Sequence, residues 1–194
     1  LPRLVHRLLG SPDSIRYDCR PLRSVMHVHG KARNDFARKV KGAMRTAKLQ
    51  GHKGVVVVID RDREPDRKRI GALREGRDSM QADVPVPCAV GTAVETFDAW
   101  MIADPAAIRA AGGDASMSRP DPEKLDGRAE TDRHPKVLAT KAFGGRRELP
   151  QKYAEVAASV DIDLLRRCCP QGFAPFAAEV EERLLPVVGG GQPG

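Results

Sequence analysis

The sequence predicts an α/β protein, with a mostly parallel sheet flanked by helices and a helical C-terminal extension. Three observations carry that prediction. Residues 55–60 read VVVVID, β-branched side chains closing on a carboxylate, which is the composition of a strand covered on both faces. A second apolar segment, VPVPCAV at 84–90, follows after one helix-length polar interval, the alternation a parallel sheet with right-handed crossovers requires. Beyond Pro135 the apolar residues recur at helical spacing.

At 194 residues the chain has the length of one domain with at most a small appendage. Its aromatic content, one Trp, two Tyr and five Phe, is too sparse for a stacking platform for single-stranded nucleic acid. No apolar run approaches the ~20 residues of a membrane span. Cys19, Cys88, Cys168 and Cys169 form no CxxC pair, so a reduced cytoplasmic chain is expected, without a disulfide framework or zinc ribbon.

Taken in order, LPRLVHRLLG sets Leu4, Val5, Leu8 and Leu9 on one helical face, and Arg3, His6 and Arg7 interrupt it too often for a signal peptide. Ser11-Pro12-Asp13 is a turn. Residues 15–28 read as extended, with Pro21 marking an edge or a break. From Ala32 to Leu49 the residues Phe36, Val40, Met44 and Ala47 trace a helical face surrounded by Lys and Arg. After strand 55–60 come a polar turn and a helix from Arg67 to Met80.

In the second strand, 84–90, Pro85 and Pro87 suit a start or an edge. Gly91-Thr92 then caps a helix over 93–103 that carries Glu95, Asp98 and Trp100, with Asp104 as its stop before Pro105. Residues 112–135 have almost no apolar side chains and read as a long mobile loop. Helices are expected near 136–142, 150–158, 161–168 and 174–185, and the tail 189–194 is expected to be disordered. The organisation is therefore an α/β domain over 1–111, the loop 112–135, a helical extension over 136–188 and the tail.

In parallel sheets ligands gather at the carboxyl ends of the strands. Asp60 and Asp62 sit there as Asp-Arg-Asp, two apart, so both carboxylates can face one point. Two hard oxygen ligands suit Mg²⁺ or Mn²⁺, whereas a plain solvated turn is the alternative. Glu95, after the next strand, could join them or simply favour a helix dipole. Asp98 and Asp104 read as structural, Trp100 as core and Cys168-Cys169 as helix packing.

Arg61, Arg63, Arg67 and Lys68 surround the acidic pair. Lys31 and Arg33, at the start of the 32–49 helix, are placed to meet phosphate. His27 and His29 alternate on one face but read as polar edge before metal pair. There is no GxxxxGK[ST], GxSxG or HExxH. Charge divides unevenly: residues 1–82 hold 20 Lys/Arg against 9 Asp/Glu, a net +11, within a chain of +7 overall. Such a segment suits a polyanion.

VVVVIDRDRE, followed one α/β unit later by PCAVGTAVETFDAWMIADPAAI, resembles the Toprim fold, and more narrowly small bacterial Toprim-like relatives of the OLD-type nucleases. The carrying residues are Asp60 and Asp62 as the DxD pair, then Val94-Glu95, Ala99-Trp100-Met101 and Ala103-Asp104 as a (V/I)ExxxAWxLAD segment. The likeness covers residues 25–110, and more weakly the C-terminal run RRCCPQGFAPFAAEVEERL.

The resemblance implies a Rossmann-like sheet and metal-dependent cleavage of a DNA or RNA backbone, with Asp60, Asp62 and Glu95 as catalytic metal ligands. It also implies a setting in bacterial defence or repair beside an ATPase partner. Toprim enzymes carry a glutamate at the end of a first strand, which here would lie upstream of Leu1. A non-catalytic subunit docking an ATPase, and a DxD metal-nucleotide transferase, stand as alternatives, and a homodimer is left open.

Overall fold

The computed structural model describes residues 1–10, 15–22, 35–61, 68–118, 130 and 134–189. Its architecture is mixed α/β. The first helix, α1 (Pro2–Leu8), buries Leu4, Val5 and Leu8. Helix α2 (Phe36–Leu49) starts where Asp35 accepts the Arg38 N–H at 2.8 Å and buries Val40, Met44 and Ala47. Strand β1 (Val55–Asp60), helix α3 (Lys68–Asp78) and strand β2 (Cys88–Ala93) then form one crossover unit. The two strands pair in parallel, with Val55 opposite Cys88 and Asp60 opposite Ala93.

Strand alternation divides the side chains between two cores. Val57, Cys88 and Val90 face Val40 and Met44 of α2 and Leu73 of α3. Ala89 and Ala93 face the other core, built on Trp100, Phe173, Phe176 and Val180. That second layer comprises α4 (Asp98–Met101), α5 (Pro105–Ala110), α6 (Pro135–Ala142), α7 (Leu149–Ser159), α8 (Ile162–Cys168) and α9 (Phe173–Gly189). Trp100 stacks on Phe176 at 5.5 Å and meets Phe173 edge-on at 5.3 Å.

Helix α9 lies flat on the sheet because glycine leaves room for it. A Cβ on Gly91 would stand 2.6 Å from the Phe176 ring, and one on Gly54 2.8 Å from Leu184. These contacts fix the direction of α9 as antiparallel to the strands, with its N-terminus at their carboxyl ends. Among the described residues no helix is long and apolar enough to cross a membrane.

Several expectations are corrected. The second strand runs over 88–93, not 84–90, because pairing to β1 continues as far as Asp60 opposite Ala93. The helix expected over 93–103 shrinks to the single turn of α4. Asp104 ends nothing: it is the N-cap of α5, accepting from Ala106 and Ala107 N–H at 2.8 and 3.2 Å, while its second oxygen accepts from Asp161 N–H at 2.9 Å.

Within 112–135, Asp114 ties the chain to Ala142 O at 2.9 Å and caps a 3₁₀ turn, Ala115–Met117. Of the extended segment expected over 15–28, residues 15–21 form no strand and 23–28 lie outside the described residues. So do the expected tail residues 190–194.

Candidate functional site

The carboxyl end of β1 brings chain chemistry together. Asp60, the last residue of the strand, is exposed, and its Oδ1 accepts the Phe97 N–H at 2.9 Å. The ladder continues one step further, Arg61 N–H donating to Ala93 O at 2.8 Å. Residues 94–97 therefore leave β2 directly beside Asp60. Glu95 lies half-buried in this turn and not in a helix's first turn, so its nearness to Asp60 follows from strand pairing and not from a helix face.

Asp98 has a different task. Its Oδ2 accepts from Thr96 Oγ1 at 2.8 Å, and its Oδ1 accepts from the Tyr153 hydroxyl of α7. Burial, with the Asp98 carboxylate beside it, raises the Tyr153 phenol well above its ordinary range, so the hydroxyl stays a donor. The turn bearing Glu95 is thereby held on one side by Asp60 and on the other by Asp98 and Tyr153.

On the α2–α3 side, two cations stand over the Phe36 ring. Lys39 Nζ is 5.2 Å from the ring centroid and Arg69 Cζ 5.6 Å. Arg69 also donates to the Asp60 main-chain oxygen at 2.6 Å. Arg61 is half-buried, and its Nε is buried without a hydrogen-bond partner among the described residues. Lys68 is exposed at the start of α3.

The remaining candidates, Lys31, Arg33, Asp62, Arg63 and Arg67, lie outside the described residues, as do His27 and His29. Among the described residues no group of three His, Cys, Asp or Glu could hold a metal ion. Cys88, Cys168 and Cys169 are buried, and burial pushes the Cys88 thiol up to about 12 and the other two above their ordinary value. All three pack inside the fold as buried groups.

One functional-looking acid escaped the sequence reading. Glu130 is fully buried, and its carboxylate accepts the backbone N–H groups of Gln171, Gly172 and Phe173 at 2.8, 2.7 and 3.3 Å. It caps α9 at the same end of the sheet as Asp60. Burial outweighs those three donors and raises its carboxyl above the usual range. Nothing in the charged sequence around it signals this, because its partners are main-chain groups forty residues downstream.

A family profile described as a domain of unknown function, DUF4276, matches residues 4–181. The chain belongs to the DUF4276 family. The match takes in both strands, Asp60, Glu95, Glu130 and Tyr153, so the DUF4276 unit includes the α9 layer together with the sheet. No curated protein and no solved structure matches the chain.

Proposed function

We propose that this DUF4276 chain is a Toprim-type, divalent-metal-dependent phosphodiesterase acting on a DNA or RNA backbone. The observation that supports this most is the exposed Asp60 carboxylate at the carboxyl end of a parallel strand, with Glu95 on the turn that leaves the paired strand. The donor set is hard oxygen, which fits Mg²⁺ or Mn²⁺ in kind. Asp60, Glu95 and the next sequence acid, Asp62, would hold the ion. Bound there, it neutralises charge on the attacking and leaving oxygens of an in-line displacement.

The chain's own groups do the rest. The Phe97 N–H orients Asp60, Glu95 orients a water, and Arg61 and Lys68 hold backbone phosphates without reading sequence. A Rossmann-like Toprim sheet, an ATPase partner and a role in bacterial defence or repair belong to the same proposal.

Asp60→Asn is the most informative variant, because asparagine keeps the acceptor for Phe97 N–H and removes only the charge. With plasmid or RNA and Mg²⁺ or Mn²⁺, cleavage should fall at least the ~10–100-fold that disturbing a metal's surroundings costs. Unchanged cleavage, or none by the wild type under either metal, overturns the proposal. A second reading is a binding subunit that docks an ATPase. Partner binding that survives Asp60→Asn, with no cleavage by the wild type, would select it.

A further inference from the structure

We infer that Arg61, just past the end of β1, together with Lys39 and Arg69 over the Phe36 ring, forms a phosphoryl-binding subsite on the α2–α3 side of the β1 end, separate from the Asp60 carboxylate. The inference deepens the phosphodiesterase reading. It rests on that reading for the ligand's identity as a nucleic-acid phosphodiester, while the subsite itself rests on geometry.

Side chains alternate along β1, and Ile59 belongs to the core shared with Phe36 and Ile70. Arg61 is two residues further on, and its backbone N–H still pairs with Ala93 O. Arg61 is therefore directed to the side of Ile59, away from the side to which Asp60 reaches Phe97.

On that side stand the two cations over the Phe36 ring. The ring fixes their places, since cations are drawn to an aromatic face. The Arg69 donation to Asp60 O at 2.6 Å ties the cluster to the strand end. Lys39 is itself buried. A guanidinium N–H buried without a hydrogen-bond partner, as Arg61 Nε is among the described residues, calls for an acceptor. An anionic oxygen at this place supplies one.

Phosphate is the anion the surroundings favour. Arginine presents a planar fork that matches phosphoryl oxygens, and the lysine adds a point charge. The subsite would grip a phosphodiester on the face of the strand opposite the metal ligands. That grip requires no metal.

The test therefore omits metal. Wild type and the variants Arg61→Gln, Arg69→Gln and Lys39→Gln are titrated with a short duplex DNA in EDTA across a salt series, with inorganic phosphate as a parallel ligand. Arg109→Gln, an exposed cation on α5, serves as control. Each subsite variant should weaken duplex binding and reduce the slope of log K against log salt by about one. The control should do neither. Circular dichroism checks folding, and Lys39→Arg and Arg69→Lys, which keep the charge, should retain most of the slope.

Wild-type affinity and slope in folded Arg61→Gln and Arg69→Gln overturn the subsite. So does failure of the wild type to bind either duplex or inorganic phosphate. Binding of inorganic phosphate through these residues, with no binding of duplex, keeps the subsite but assigns it to a small phosphorylated molecule. Metal-free duplex binding that depends on Arg61 and Arg69, beside absent cleavage, supports the subsite while removing the nuclease.

Discussion

The two ends of the sheet handle charge in opposite ways. Below the start of β2, Arg77 is almost fully buried and is bonded to Asp78 at 2.7 Å and Glu179 at 2.6 Å. Glu179 in turn holds Arg183 at 2.9 Å and approaches Arg74 at 3.4 Å. Charges there are matched inside the fold and lock α3 to α9. At the carboxyl end, Asp60 is exposed, Arg61 keeps a buried Nε without a partner among the described residues, and two further cations share one ring. The first end ties helices together through ion pairs, and the second carries the residues of the proposed site.

Four substitutions press on that contrast. Arg77→Ala removes the buried guanidinium and leaves the partly buried Glu179 with Arg183 and Arg74 alone among the described residues, and should cost about 3 kcal/mol in denaturant unfolding. A loss below ~1 kcal/mol would mean that the matched end is not structural. Glu130→Ala strips an acceptor from three backbone donors at the other end and should cost about 1–3 kcal/mol.

The same residue gives a pH signature. Because folding raises the Glu130 carboxyl above its usual range, the stability it contributes is full below its unfolded pKa and declines as pH rises through the folded value. Glu130→Gln should therefore gain stability relative to wild type between acid and neutral pH. Parallel unfolding curves for the two proteins at all pH values would contradict this. The smallest effect belongs to Asp60→Asn, which should shift stability by no more than about 0.5 kcal/mol. A large loss there would make Asp60 a structural residue and erase the contrast.

How much of this was legible depended on whether local pattern and tertiary pairing agreed. VVVVID could be little other than a strand, although only Val57 of its residues is fully buried and not the whole run, and the amphipathic faces of α2 and α7 to α9 stood out because their apolar stripes cover a core. Ala93-Val94-Glu95 misled because alanine favours helices, whereas the ladder to Asp60 extends the strand through Ala93. Asp104-Pro105 is a helix start, an N-cap followed by proline at the first helical position, yet the apolar run before it made it look like a stop.

At the candidate site, Asp60 and Glu95 were legible from their places after apolar segments. The Phe97 N–H, the Tyr153 hydroxyl and the Phe36 cluster were not. Each depends on a partner from a distant element, and spacing along one segment cannot report that.

The glycine-permitted contact between α9 and β2 also bears on how the molecule is made. All six residues of β2 are buried, yet the helix that covers one of its faces lies far downstream, where Phe176 meets Gly91. Contacts so distant in sequence close late and slow folding. During synthesis β1, α3 and β2 emerge with that apolar face uncovered, a state prone to aggregation. Folding should therefore wait for α9, and chaperone demand should fall sharply once it has docked.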